Sequence, residues 1–142
     1  MNQIECGFPI DTALVEYGPY LNVYIGTDTT FYPDSSNQSK GPYRALIDTG
    51  ASQNCIDKIL AQQIGLTPID EQTSYGASGA FTATIFSGQI CLPDLQWEIY
   101  GEIVAVDLKA FGNFDILIGR TTLQHCIMTY NGPTGSVLLS RP

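Results

Sequence analysis

Short apolar runs alternate with glycine, proline and polar residues along most of the chain, a pattern typical of small β-proteins. Residues 14–17 and 20–26 flank Gly18-Pro19, a strong turn signal, and so predict an early hairpin. Residues 81–92 and 96–106 predict a second hairpin, which turns at Pro93-Asp94. The pattern therefore predicts an all-β fold.

Helical spacing is confined to short segments. Residues 57–64 repeat apolar positions at helical intervals and stop at Gly65, a typical helix C-cap. Residues 121–126 predict a second short helix, and residues 136–140 a final strand. The polar segment 28–42 contains two prolines and is predicted to be a surface loop.

Length and charge exclude several classes of protein. The 142 residues are 44% hydrophobic, enough for one core, and predict a single domain over residues 1–142. Fourteen acidic against six basic residues give a net charge of −8, which disfavours nucleic acid and anionic membranes as partners. No apolar run approaches the roughly 20 residues of a membrane span, and no signal peptide is visible. We therefore expect a cytoplasmic protein.

The cysteines and the single histidine do not form a recognisable site. Cys6, Cys55, Cys91 and Cys126 lack metal-ligand spacing, and they fit buried or free thiols better than disulfides. His125 is the only histidine, so it is the only base that could activate a cysteine or serine nucleophile. Its apolar surroundings in sequence favour local packing instead.

The strongest chemical signal is a carboxylate that follows an apolar strand. Residues 45–47 lead into Asp48-Thr49-Gly50, where the glycine lets another backbone approach closely. A second apolar strand, residues 114–118, ends at Gly119-Arg120. An isolated Asp-Thr-Gly is also compatible with an ordinary turn.

Together, these two segments resemble the retropepsin-like aspartic proteases, and the resemblance covers roughly residues 43–139. It implies a closed acid-protease β-barrel with one or two short helices, active as a two-fold dimer. It also implies that Asp48 is catalytic and that Thr49 and Gly50 support the active-site loop. The residues expected to pack beneath this loop are Leu117, Gly119 and Arg120.

The dimer follows from the number of motifs. Peptide hydrolysis by aspartates needs two facing carboxylates, but only Asp48 lies in a complete Asp-Thr-Gly motif. The segments 11–13 and 28–30 lack the glycine. The second carboxylate is therefore expected from a second copy, because a two-fold axis brings identical surfaces together. The resemblance implies that terminal strands, residues 136–140 and 4–10, interleave in that dimer.

The expected chemistry follows from two carboxylates at close range. At about 3 Å and an effective dielectric constant near 20, two charges repel by roughly 5 kcal/mol, so the pair shares one proton. The charged member activates a water, and the protonated member donates a hydrogen bond to the carbonyl oxygen of the substrate. This mechanism requires no metal ion and no cofactor.

A glycine-bearing polar segment at about residues 72–81 is predicted to be a flap that closes over an extended peptide. A plain connecting loop is the alternative interpretation. The residues expected to contact substrate are Gly50, Ala51, Ser52, Tyr75, Gly76, Ala77, Ser78, Gly79 and Ile118.

Arg120 lacks its usual partner. Retroviral enzymes carry an aspartate at the position of Ser52, and the arginine pairs with it. In this chain we expect Arg120 to pair with Asp57, with Glu71 or with a backbone carbonyl, or to extend along the surface.

Two other functions remain compatible with the sequence. The first is a catalytically silent dimer of the same fold that binds peptides or partner proteins, because a fold does not guarantee turnover. The second is a structural dimer in which Asp48 only forms hydrogen bonds across the axis.

We predict a less acidic pH optimum than that of pepsins. Ala51 stands where pepsin-like enzymes often carry a serine hydroxyl that stabilises the charged carboxylate. Without that hydroxyl, the charged form should appear at higher pH. A pH–rate profile of peptide cleavage checks this, and a maximum near pH 2 contradicts it.

Overall fold

The computed structural model describes residues 2–27, 39–76 and 79–142. Three short helices and ten strands make up most of this part of the chain. No helix in it is long and apolar enough to cross a membrane. The elements, in chain order, are β1 (Asn2–Glu5), α1 (Asp11–Tyr17), β2 (Tyr20–Gly26), β3 (Ser39–Ile47), β4 (Cys55–Asp57), α2 (Lys58–Ile64), β5 (Thr67–Gly76), β6 (Gly79–Leu92), β7 (Trp97–Val106), β8 (Ile116–Ile118), α3 (Arg120–Leu123), β9 (Ile127–Asn131) and β10 (Ser136–Arg141).

Six strands form a closed barrel. Their order is β2-β3-β8-β4-β7-β6, and β6 pairs again with β2, so the ring has no open edge. The pairs β3–β8 and β4–β7 are parallel, whereas the other pairs are antiparallel. The interior is filled by β-branched and small residues that are completely buried, among them Val23, Ile25, Ala45, Ile56 and Ile116. The predicted all-β barrel is confirmed.

The β5–β6 hairpin extends beyond this barrel. β5 occupies the end of the strand order and pairs with β6 from Thr67↔Ser87 to Gly76↔Gly79. The segment predicted to be a flap thus belongs to a hairpin, and its closure over a peptide stays a prediction. Residues 77 and 78, at the tip, lie outside the described residues.

The chain termini form a separate three-stranded sheet in the order β1-β10-β9. β10 lies in the middle: Leu139 is paired with Ile4 on one side and with Met128 on the other. Both backbone edges of β10 are thus occupied within one chain. The prediction that residues 136–140 interleave with a second copy is wrong for this structure, because a doubly paired strand has no edge left to offer.

The N-terminal arm, residues 2–8, is held against β10 by the carboxylate of Glu5. Glu5 accepts hydrogen bonds from the Ser136 hydroxyl and from the backbone N–H of Val137. The Ser136 bond is the main cause that lowers the pKa of Glu5 below its usual range. Because the folded-state pKa is lowered, this clasp stabilises the fold at neutral pH, and the stabilisation is lost as the pH falls through that value.

The predicted early hairpin is wrong, because residues 11–17 form α1. Gly18, with φ of 76°, ends the helix and donates its N–H to the carbonyl of Leu14. Of the neighbouring apolar residues Leu14 and Val15, Leu14 is buried, whereas Val15 is 89% exposed. Two adjacent apolar residues predict a strand, but these two lie on a helix that buries only one side.

The remaining elements follow the sequence closely. α2 begins after Asp57, whose carboxylate accepts from the backbone N–H of Leu60, and it ends at Gly65 with φ of 86°. The hairpin at Pro93-Asp94 and the final strand are confirmed. Of the predicted loop 28–42, residues 39–42 instead belong to β3, and residues 28–38 lie outside the described residues.

Gly7→Ala is predicted to destabilise the protein by about 1–3 kcal/mol or more. A Cβ at this position would overlap the carbonyl oxygen of Gly135 and approach the Val137 nitrogen to 2.7 Å. Gly132→Ala is the control, because its nearest neighbour is a Tyr130 side-chain atom at 3.8 Å. Urea unfolding should separate the two variants, and equal stabilities would contradict the proposed packing of the arm.

Candidate active site

Asp48 lies directly after β3 in a tight loop. Its backbone N–H donates to the carbonyl of Ile118 (2.9 Å), and its carboxylate accepts from the N–H of Gly50 (2.8 Å). The N–H of Ala51 returns to the carbonyl of Asp48 (3.2 Å). Asp48 is half-buried, whereas Thr49 and Gly50 are exposed. The loop therefore holds a carboxylate at the surface in a fixed orientation.

Gly119 packs against the underside of this loop. A Cβ on Gly119 would overlap the carbonyl oxygen of Gln53 and lie 2.9 Å from that of Ala51, so only glycine fits. The next two backbone N–H groups are bonded to the same loop: Arg120 to Ala51 (2.8 Å) and Thr121 to Ser52 (3.0 Å). The start of α3 thus fixes the loop from below, as the sequence predicted for Gly119 and Arg120.

A buried side chain completes this support. Asn54 is 5% exposed, and its Oδ1 accepts from the N–H of Gly119 (2.9 Å) and from the hydroxyl of Thr122 (3.0 Å). Its Nδ2 lies 2.8 Å from the same hydroxyl. Sequence reasoning missed Asn54 and Thr122. A polar residue immediately before the apolar strand β4 is the only hint in the sequence.

Arg120 binds a backbone carbonyl. Its Nη1 donates to the carbonyl oxygen of Thr49 at 2.8 Å, which selects one of the partners expected from the sequence. Asp57 is not available, because it is buried and its carboxylate accepts from the backbone N–H groups of Leu108 (3.1 Å) and Lys109 (3.3 Å). The guanidinium is therefore part of the active-site loop's own hydrogen-bond network.

A cleft of about 410 Å³ separates this loop from the β5–β6 hairpin. Gln72 and Gln53 join its two sides through a hydrogen bond of 3.0 Å. The predicted residues Gly50, Ala51, Ser52 and Tyr75 all lie on its surface. The other lining residues are Gln53, Cys55, Gln72, Thr73, Phe81, Val104 and Val106.

Two predicted assignments change on β8. Ile118 is completely buried in the barrel core, so the prediction that its side chain lines the cleft is wrong. Leu117, the neighbour on the opposite face, is half-buried and pairs directly with Cys55, a cleft residue. Strand alternation thus places Leu117 on the opposite face of β8 from Ile118, but Leu117 is not among the residues that line the cleft.

The flap tip is only partly described. Gly76 and Gly79 are paired across it, and Tyr75 is 81% exposed. Of the flap residues expected to contact substrate, Tyr75 borders the cleft, whereas Gly79 does not. Ala77 and Ser78 lie outside the described residues.

Two of the thiols are poor nucleophiles. None of the four cysteines forms a disulfide. Burial, with a smaller contribution from the Asp48 charge, raises the pKa of Cys55 to about 11, and burial raises that of Cys6 to about 12. His125 packs edge-on against Trp97, with ring centroids 6.0 Å apart.

A larger cavity, of about 480 Å³, lies elsewhere, between the N-terminal arm and β2. Its walls include Phe8, Tyr17, Tyr20 and Arg44. None of the predicted site residues borders it. We therefore place the candidate site at the smaller cleft, which the Asp48 loop borders.

The sequence profile of the aspartyl protease family matches residues 35–99, which contain Asp48-Thr49-Gly50 and the β5–β6 hairpin. A search of curated protein sequences gives no significant match.

Solved structures show the same fold. A retropepsin-like aspartic protease from Rickettsia conorii superposes with a TM-score of 0.57 at 20% identity, over 96% of this chain and 89% of that chain. The EIAV protease complexed with the inhibitor HBY-793 gives 0.51 at 17% identity, over 75% of this chain and 85% of that chain. The fold is thus that of the retropepsin-like proteases. The sequence match over the Asp48 loop is likewise to the aspartyl protease family, so sequence and fold agree in the class of protein that this chain resembles.

Asn54→Ala is predicted to cost about 2–4 kcal/mol of stability, because it leaves the buried N–H of Gly119 and the hydroxyl of Thr122 without their partner. Asn22→Ala, at an exposed position on β2, is the matched control and should change stability little. Thermal or urea unfolding measures both. If the Asn54 variant is as stable as the control, the buried network is not a support of the loop.

Proposed function

We propose that the protein is an aspartic endopeptidase that hydrolyses peptide bonds as a homodimer, with one Asp48 from each chain. The observation that carries this proposal is the single Asp-Thr-Gly loop, exposed at the surface of a retropepsin-like barrel and firmly held from below. The match to the sequence profile of the aspartyl protease family supports peptidase chemistry, and the cleft beside the loop has room for substrate side chains.

A second copy supplies what one chain lacks. The loop offers one carboxylate, and its exposed residues Thr49 and Gly50 leave it open to a two-fold partner. In the proposed dimer, Thr49 connects the two loops across the axis. Gly50 allows the close approach, since it carries no side chain between the loop and its partner.

The two Asp48 carboxylates divide one proton between them. The charged one removes a proton from a bound water, and that water attacks the scissile carbonyl carbon. The protonated one donates a hydrogen bond to the oxyanion that develops, and a proton is then passed to the leaving nitrogen. The orientation of each charged carboxylate comes from the Gly50 N–H that holds Oδ1.

Substrate is proposed to bind extended between the loop and the flap. Gly50, Ala51 and Ser52 contact it from the loop, and residues 75–79 (Tyr75, Gly76, Ala77, Ser78 and Gly79) contact it from the flap. Ile118 is left out of this assignment, because its side chain is buried in the barrel core. Val104, Val106 and Phe81 give the cleft an apolar wall, which favours apolar side chains near the scissile bond.

The terminal sheet limits how the dimer is built. Because β10 is paired on both sides within one chain, the two copies associate through the loops and flaps, and only the outer edges of β1 and β9 are left for further strand pairing.

Asp48→Asn is the central test. Incubation with a denatured protein between pH 3 and 7 should give cleavage by the native protein, blocked by a statine-type inhibitor. The variant should lose roughly 10²–10⁴-fold in rate or more, because an amide can act neither as general base nor as acid. Asp107→Asn, at an exposed position after β7, is the matched control and should retain full activity.

Mixing the two forms tests the shared site directly. An excess of the Asp48→Asn chain should draw native chains into mixed dimers with one carboxylate, so activity falls as the excess grows. Activity that stays constant under this titration would show that each chain works alone.

The same experiment separates the binding alternative. Peptide binding that survives Asp48→Asn, with no cleavage at any pH in this range, would favour a protease-fold module that binds peptides or partner proteins. The open cleft is compatible with that function.

A further inference from the structure

One peptide unit of the active-site loop is held at both ends. The carbonyl of Thr49 accepts a hydrogen bond from Arg120 Nη1, and the N–H of the next residue, Gly50, donates to Asp48 Oδ1. Both bonds measure 2.8 Å. The carbonyl and the N–H belong to the same amide group. A single rigid plane therefore connects the guanidinium to the carboxylate.

Arg120 is well anchored for this role. Its backbone N–H is bonded to Ala51, and Gly119 before it lies against the carbonyls of the same loop. The base of the side chain thus cannot drift relative to the loop, even though its end is exposed. Direct attraction between two partly solvated charges is weak. We therefore expect Arg120 to affect Asp48 through its hydrogen bond to the Thr49 carbonyl.

A cation bound to the carbonyl oxygen of a peptide group changes the donor strength of the N–H in the same group. It draws electron density toward the oxygen and makes the N–H a stronger donor, an effect of about 10–30% per bond in hydrogen-bonded chains. It also fixes the tilt of a peptide plane whose flanking residues, Thr49 and Gly50, are exposed and so have few other restraints. A stronger and better aligned N–H favours the charged form of the carboxylate that accepts from it.

We propose that Arg120 is a positioning residue that acts on Asp48 through the Thr49–Gly50 peptide, holding Oδ1 in place and favouring the charged carboxylate. The proposal deepens the proposed function and rests on it for its effect on catalysis. Arg120 compensates in part for Ala51, which supplies no hydroxyl to the carboxylate. It takes this role because Ser52 offers no carboxylate to bind.

Other ionisable groups face Asp48 as well. The thiol of Cys55 on β4 is close enough to sense the Asp48 charge, but it stays protonated at neutral pH. In the proposed dimer, the second Asp48 faces the first and sets how the shared proton is divided. A change at position 120 leaves Cys55 unaltered but acts on both copies of Asp48 in the proposed dimer, so a comparison of variants reports the effect of Arg120 on the pair.

The test compares Arg120→Gln with Lys58→Gln, which removes the same charge from an exposed position at the start of α2. The side-chain carboxyl carbon of Asp48 is followed by NMR against pH and is assigned by its loss in Asp48→Asn. We expect the midpoint of this titration to rise in Arg120→Gln, because the hydrogen bond to the charged carboxylate is weakened. It should stay unchanged in Lys58→Gln.

Activity gives the second measurement. In Arg120→Gln, the acidic limb of the kcat/KM profile should move to higher pH by the same amount, with kcat reduced more than KM is changed. Arg120→Lys keeps the charge and one donor, and should show a shift in the same direction of smaller size. Sedimentation velocity on each variant follows the dimer separately.

The outcomes are distinct. An unshifted midpoint in folded Arg120→Gln overturns the proposal, even if activity or dimerisation is lost. If that variant does not fold, an unshifted midpoint in Arg120→Lys overturns it instead. A shifted midpoint in a protein that cleaves nothing supports the link between Arg120 and Asp48 and rejects the proposed function. Cleavage with an unshifted midpoint rejects the link between Arg120 and Asp48 and supports the proposed function.

Discussion

The active-site loop depends on contact between two backbones. Gly119 approaches the carbonyls of Ala51 and Gln53 so closely that no side chain fits, and the peptides on either side of it are bonded to the same loop. This contact joins β8 and α3 to the turn after β3, which are distant in sequence. Because backbone groups carry most of the contact, the loop's shape is set by strand positions in the barrel rather than by side-chain packing alone. Asp48 inherits that rigidity.

A closed barrel makes this precision possible. β3 and β8 are parallel neighbours in this ring. Both strands therefore end on the same side of the barrel, where Asp48 and Gly119 follow them in the chain. A ring without an open edge resists sliding of one strand past another, since any slip would break pairs all the way around. The buried Asn54 adds specificity, because its amide is satisfied only when the loop and α3 are correctly aligned. The site is thus preorganised before any substrate arrives.

Sequence alone predicted the barrel better than the surroundings of the Asp48 loop. Asp-Thr-Gly by itself also fits an ordinary turn, but together with the apolar strand that ends at Gly119 it pointed to the fold that the structure shows. The orientation of Leu117 and Ile118 was not predictable, since a short run that is apolar throughout hides which face points inward. The prediction for residues 14–17 is wrong for a related reason: two apolar residues in a row fit a strand or one side of a helix.

The double pairing of β10 depends on contacts across the whole chain, which no local pattern reports. The bond from Arg120 to Thr49 is of the same kind, because a flexible side chain chooses among several acceptors only after the fold is complete.

The terminal sheet has a consequence for how such a protein is controlled. Since β1, β10 and β9 satisfy one another inside a single chain, the terminal sheet is complete without a strand from a second copy. In the proposed dimer, where two chains share one site, the amount of dimer at low abundance would then rise with the square of the amount of protein present. Concentrating or diluting the subunits would thereby set the activity.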